Sequence, residues 1–291
     1  MDTLLKNVLL SPFNVLYKIN PKAEIGLMFR IKQGYWMDFN NPETFNEKLQ
    51  WIKLYDRNPL MTKCSDKYAV REYVSEKGFG NLLNSLIWEG FHPEDIPFDV
   101  LPDKFVIKAT HGSTFNMVCE DKSSLNREKV VHKLNKWLNT KFLPCYGEWF
   151  YGVERPRIII EHFLDEDGRK SLTDYKVFCF HGEPKYILVV TDRDGNTHKN
   201  DVFTTDWQKI PDTNMGFPNS NHEIRKPKCF QEILDASAKL SEDFKHARVD
   251  FYIVDDQPYF GELTFTSSAG FDRFEPMEFD REMGKWLLVD T

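Results

Sequence analysis

Hydrophobic and polar positions alternate most regularly between Arg248 and Gly270. Val249, Phe251 and Ile253 fall on one side of a strand, and Arg248, Asp250 and Tyr252 on the other. Asp255-Asp256-Gln257-Pro258 predicts a reversal, and the returning arm puts Tyr259, Leu263 and Phe265 on the apolar side and Glu262 and Thr264 on the polar one. A slip of one residue would bury Glu262, so the pattern sets Asp250 opposite Glu262. Like charges directly opposed across a hairpin lie roughly 5 Å apart and repel. A hard cation taking oxygen ligands, such as magnesium, would relieve the pair; the alternative is an acidic face with no ion.

The rest of the chain divides by period. Residues 1–60 read as helical and aromatic, with Thr44-Phe45-Asn46-Glu47 as a capping box and Phe45, Leu49, Ile52 and Tyr55 on one helical side. Only core packing is expected there. A second helix spans about Asp66 to Lys77, capped by Ser65 or Asp66, stopped by Gly78, and buried through Val70, Tyr73 and Val74. Lys67 lies in its first turn, where the helix dipole disfavours a cation unless an anion is near. Phe105 to Ala109 is a short buried strand interrupted by Lys108, and a lysine in that setting needs a partner. The small polar loop Thr110–Asn116 follows, then an amphipathic helix over 124–140 and an aromatic loop over 142–154, read as a lid or a packed connection. Arg157 to Leu164 is a strand ending in Glu161. Leu172 to Phe180 alternates, with Asp174, Lys176 and Phe178 on one face, and pairs through His181-Gly182 with Tyr186 to Thr191. Residues 195–228 read as a polar surface loop with short strands, Phe230 to Phe244 as a helix, and Asp280 to Val289 as a last helix.

Composition narrows the classes. The chain has 291 residues, 38 of them Lys or Arg and 45 Asp or Glu, a net charge of −7 that argues against nucleic acid as the main partner. Five scattered cysteines without a CxxC suit a reducing cytoplasmic setting rather than a disulfide framework or zinc site. No apolar run approaches the roughly 20 residues of a membrane span, and the N-terminus lacks the features of a signal peptide. Its first helix is amphipathic enough to touch a membrane or partner, although packing on its own domain is the simpler expectation.

Taken in order, Ser65-Asp66-Lys67, the strand with Lys108 and its small-residue loop, the strand ending in Glu161, Arg248-x-Asp250 and Gly261-Glu262 resemble the ATP-grasp superfamily. The longer blocks FNEKLQWIKLYDRNP, DKYAVREYV, LPDKFVIKATHGS, DYKVFCFHGEPK and GELTFTSSAGF resemble its teichuronopeptide-type, TupA-like family, from about residue 35 onward. The resemblance implies an α+β ATP-grasp fold: a helical segment over 1–64, then a domain over 65–291 whose two antiparallel sheets clamp ATP between about 100–160 and 161–291. It implies that Lys67 and Lys108 contact the phosphates, that His111, Gly112 and Ser113 fold over them, and that Glu161 with His162, Phe163 and Leu164 holds the adenine. Lys176 would lie beside the nucleotide, Asp250, Glu262 and Thr264 would face Mg2+, and Arg248 with Lys108 would serve phosphoryl transfer. Thr264 stands where many such enzymes carry asparagine, a better magnesium ligand. Ser267, Ser268 and Arg273, just beyond, are candidates for the acceptor, and arginine is the natural carboxylate clamp.

These readings imply an ATP-dependent carboxylate–amine ligase working through an acyl phosphate. Its partners would be a carboxylate-bearing saccharide and an amine or amino acid, in bacterial surface-polymer synthesis, with peripheral association with membrane-linked glycan assembly. No nucleophilic triad stands out. A kinase that stops at phosphoryl transfer, a glycosyltransferase using Asp192-Arg193-Asp194 as a DxD motif, and a non-catalytic nucleotide-binding protein are the rivals. Asp250→Asn is expected to leave the fold intact, or to stabilise it by relieving the carboxylate pair.

Overall fold

The computed structural model describes residues 3–165, 171–195 and 197–290; residues 1–2, 166–170, Asn196 and Thr291 lie outside them. The N-terminal helices are α1 (Thr3–Ile19), α2 (Pro21–Gln33) and α3 (Phe45–Tyr55). Thr44 and Glu47 form the reciprocal capping box that starts α3. After α4 (Leu60–Ser65), Asp66 Oδ1 accepts the backbone N–H groups of Tyr68 and Ala69, both at 2.9 Å. That capped turn leads into α5 (Val70–Glu76), which Gly78 ends at φ +92°.

Each of two antiparallel sheets has its own core. In the first, β1 (Leu86–Gly90), β2 (Phe105–Ala109), β3 (Asn116–Cys119) and β4 (Ile158–His162) run in the order β1-β4-β2-β3. Phe105, Ile107, Ile158 and Ile160 share a core with Val130, Leu134 and Trp137 of α6 (Arg127–Leu138). In the second, β5 (Asp174–Phe180), β6 (Glu183–Asp194), β7 (Thr197–Thr204), β8 (His246–Val254) and β9 (Gln257–Thr264) run in the order β7-β6-β5-β8-β9. Val177, Val249, Phe251 and Leu263 share a core with Ile233, Ala236 and Leu240 of α7 (Phe230–Ser241).

β7 is an eight-residue, largely buried strand in the segment read as a polar surface loop with short strands. Val202 and Phe203 are buried, and the segment that follows meets most of the polar groups: Asn200 Nδ2 donates to Met215 O at 3.2 Å, Asn219 to the Asn200 backbone carbonyl at 2.7 Å and Ser220 N–H to Asp201 at 3.1 Å, while Asn200 Oδ1 has no hydrogen bond. Polar residues that find their partners locally can sit in a buried strand.

The β8–β9 hairpin pairs Asp250 with Glu262. Its reversal is tighter than expected, with Asp255 and Asp256 both at positive φ, as a two-residue turn requires. A bulge beside Asp250 then shifts the register, so Phe260 meets Phe251 in the core and Tyr259 meets Tyr252 on the other side. Tyr259 therefore does not share the apolar side with Leu263. Gly261 is the extra residue: a Cβ there would lie 3.0 Å from the Asp250 carbonyl oxygen.

The second face of the five-stranded sheet is divided. Phe45 of α3 packs edge-on against Phe178, Phe180 and His246, at ring-centroid distances of 6.1, 5.8 and 4.9 Å. The N-terminal segment thus shares the larger core through Phe45, Leu49 and Ile52. α3 is fixed in turn by α8 (Glu278–Trp286), where Asp280 accepts the Asn46 backbone and side-chain N–H groups at 2.9 Å each. Beyond Phe45 the same face carries charge.

Candidate active site

Strand register alone sets Lys176, Asp250 and Glu262 in one row across β5, β8 and β9. Lys176 Nζ lies 2.5 Å from Asp250 Oδ2. Arg248, two residues along β8 on the same side, spans that carboxylate, with Nε 2.7 Å from Oδ1 and Nη2 2.7 Å from Oδ2. Its Nη1 donates to Ser267 Oγ at 2.9 Å and its Nη2 to Thr264 Oγ1 at 3.2 Å. Thr264 hydroxyl donates onward to Glu262 Oε1 at 3.3 Å. Burial works against the Arg248 charge, but Asp250 outweighs it and raises the guanidinium pKa.

Glu262 receives Lys67 Nζ on Oε2 at 3.2 Å. Burial would raise its carboxyl pKa, yet the charges of Lys67, Lys176 and Arg248 hold it at about 2. The repulsion expected between Asp250 and Glu262 is therefore countered by three cations already in place. Two carboxylates among three cations leave the cluster one positive charge in excess, a setting that receives an anion. Among the described residues no group of three or more His, Cys, Asp or Glu side chains converges as a metal cage. Magnesium commonly takes one or two carboxylates and draws its other ligands from phosphates and water, which this pair fits.

Lys67 joins the two sheets. Its backbone N–H donates to Thr110 O at 3.0 Å and its Nζ to Gly112 O at 3.1 Å, both in the loop after β2. Gly112 is buried, and a Cβ there would lie 2.5 Å from the Phe115 ring. His111 is buried, with Nε2 3.1 Å from Thr140 O, and burial lowers its pKa. Ser113 is exposed. On the four-stranded sheet, buried Glu161 accepts Lys108 Nζ at 2.6 Å, with Arg71 Nη1 at 3.5 Å from its other oxygen. Asn84 donates to the His162 carbonyl at 2.8 Å, and Lys104 lies over the Phe163 ring at 5.4 Å. His162 is exposed and Leu164 half-buried.

Past β9 the chain takes three successive left-handed residues, Ser268, Ala269 and Gly270, at φ 47°, 56° and 73°. α3 braces them. Gln50 donates to Gly270 O at 2.7 Å, and fully buried Lys53 donates to Ala269 O at 2.8 Å and Tyr146 O at 2.7 Å. Burial brings the Lys53 pKa down to about 8. Thr266 donates to Glu148 Oε1 at 2.6 Å, so the aromatic loop is packed against this segment. Ser267 is buried on Arg248, Ser268 is exposed, and Arg273 is exposed with no ion pair among the described residues.

The register thus gathers Lys176, Arg248, Asp250, Glu262 and Thr264; Lys67 reaches in from the turn before α5 and Ser267 from the segment past β9, while Lys108 and Glu161 pair on the four-stranded sheet. Sequence reasoning missed Arg71, the Asp174–Arg193 pair (Nε–Oδ2 2.8 Å), and the bracing by Gln50, Lys53 and Glu148. Arg71 was findable as the residue one helical turn after Lys67. Lys53 was findable as a charge beside Leu49 and Ile52 on a buried stripe.

Residues 47–288 match the family model described as "TupA-like ATPgrasp". No curated protein matches the sequence. Solved structures with similar backbones include a D-alanine–D-alanine ligase from Bacillus anthracis, 17% identical over 70% of this chain and 57% of that one, TM-score 0.41. Another is an L-amino acid ligase from Bacillus licheniformis, 12% identical over 87% and 57%, TM-score 0.49. A D-alanine–D-alanine ligase from Helicobacter pylori is 12% identical over 84% and 69%, TM-score 0.43. The chain spans a little over half the length of the first of these.

Proposed function

Because the chain belongs to the TupA-like ATP-grasp family, we propose that it is an ATP-dependent ligase joining a carboxylate to an amine. The observation that carries this reading is the row Lys176–Asp250–Glu262 with Arg248 at its side and Lys67 reaching in from the other sheet. ATP lies between the sheets, with its phosphates over this row and under the Thr110–Asn116 loop. Glu161 and the strand through His162, Phe163 and Leu164 face the adenine. Lys108 and Lys67 exchange their present partners, Glu161 and Gly112, for phosphate oxygens. Asp250 and Glu262 would hold Mg2+, which supplies charge neutralisation of the triphosphate; Thr264 orients Glu262. Arg248, braced by Ser267, faces the γ-phosphoryl group, where positioning and charge stabilisation are the main demands.

In the reaction, an oxygen of the acceptor carboxylate attacks the γ-phosphorus and ADP leaves. An amine nitrogen then attacks the acyl carbon, phosphate leaves, and the nitrogen loses a proton. The acceptor lies against the braced segment Ser267–Gly270, with Ser268 and Arg273 toward solvent. The acceptor we favour is a uronic acid of a surface polysaccharide or cell-wall polymer, and the amine an amino acid or amino alcohol. The setting we favour is the bacterial cytoplasm, in keeping with five free cysteines and with no helix of the described residues long and apolar enough to cross a membrane.

The test is ADP release from MgATP across a panel of uronic acids and amines. The expected result is stimulation that needs both partners, with an amide product by mass spectrometry. Stable phosphorylated acceptor formed without amine would replace the ligase by a kinase. Hydroxylamine added in place of the amine should trap the acyl phosphate as a hydroxamate.

A further inference from the structure

α1 carries apolar residues on its solvent-facing side. Among its described side chains, Leu9 to Ile19, none is buried. Its inner contacts are with α2 and with the short turn at Pro144–Tyr146, where Asn14 Oδ1 accepts the Cys145 N–H at 3.0 Å. Leu9, Val15 and Ile19 are 55%, 55% and 76% exposed, and Pro12 is exposed between them. At helical spacing these four lie on one side. Ile31 on α2 and Trp36 just after it are exposed by 58% and 65%. Five of the twelve large apolar side chains that stand exposed among the described residues thus fall before residue 40: Leu9, Val15, Ile19, Ile31 and Trp36.

Charge selects the occupant. Residues 3–37 hold Lys6, Lys18, Lys22, Arg30 and Lys32, five of the 38 basic residues, but only Glu24 of the 45 acidic ones, and Glu24 is buried. A second copy docked by two-fold symmetry would set these like-charged helices against each other. An anionic bilayer offers both a bed for the aliphatic stripe and counter-charges for the lysines, and tryptophan favours the boundary between them.

We propose that the α1–α2 helical pair is a docking surface for an anionic phospholipid membrane, on which the stripe Leu9–Pro12–Val15–Ile19 lies flat in the headgroup layer. The surface is separate from the nucleotide cleft, so this inference stands or falls independently of the ligase reading.

The experiment is co-sedimentation of the full chain with vesicles of phosphatidylcholine alone and with 30% phosphatidylglycerol, at about 50 and 300 mM salt. Binding is expected on the anionic vesicles, weakening at least tenfold at the higher salt as the charges are screened. The double substitution Val15→Asp/Ile19→Asp should weaken it at least tenfold, as should Lys18→Glu/Lys32→Glu, with the far-ultraviolet circular dichroism melt unchanged because all four side chains are exposed. Three results would overturn the proposal: no sedimentation with anionic vesicles, sedimentation undiminished in both variants, or light scattering that shows a dimer dissolved by Val15→Asp/Ile19→Asp.

Discussion

Asp250 shares its two oxygens between Arg248 and Lys176, with side-chain exposures of 5%, 12% and 14% for the three groups. Removing its charge would strand two cations in a poorly hydrated setting. Asp250→Asn is therefore expected to destabilise the fold by about 3 kcal/mol and to abolish Mg-dependent ADP formation; urea denaturation checks the first and a coupled ADP assay the second. This reverses the relief expected from the sequence, which showed two opposed carboxylates but not the cations that meet them. Glu262 gives a pH signature. Its carboxyl is held at about 2 in the fold, below its ordinary 4.5, so the unfolded chain takes up the proton first as pH falls. Its stabilising contribution is complete above pH 4.5 and drains away toward pH 2; in Glu262→Gln, the urea midpoint should change less across that window than in the unaltered protein.

At the scale of elements, α2 and α3 carry the other testable charges. Glu24 has both oxygens buried without a hydrogen bond, and burial raises its pKa to about 7 despite the pull of Lys53. A carboxyl raised in the fold keeps its proton there, so stability is highest below pH 4.5 and declines as pH climbs through 7. Glu24→Gln should remove that decline, read as thermal midpoints from pH 5 to 8. Lys53→Met would leave the Ala269 and Tyr146 carbonyls without their charged donor and cost about 3 kcal/mol by urea denaturation. Strands β2, β4, β5 and β8 were legible because alternation or an unbroken apolar run marks a buried strand. The length and burial of β7 were not, because its polar residues are met by a following segment that composition cannot place. Nor was the bulge at Gly261, since a glycine in an alternating arm leaves the phase beyond it undetermined.

Across the whole molecule, most of the charged row was legible, because pairing register follows from pattern; the bracing by α3 and the reach of Lys67 between sheets are tertiary contacts that no local pattern encodes. Lys67→Met should weaken binding of a non-hydrolysable ATP analogue at least tenfold by calorimetry, the loss of one charge-assisted contact to phosphate. Titration with Mg2+ alone should give no heat of binding, because Asp250 and Glu262 are already matched by cations; the metal should enter only with nucleotide. One face of the five-stranded sheet is both the bed of Phe45 and the floor that carries the charged row. That floor is mortared into the larger core and cannot travel without dismantling it. On the proposed reading, any grip that tightens around ATP would fall to the four-stranded sheet and its glycine-bearing loop, closing on an anvil that stays still.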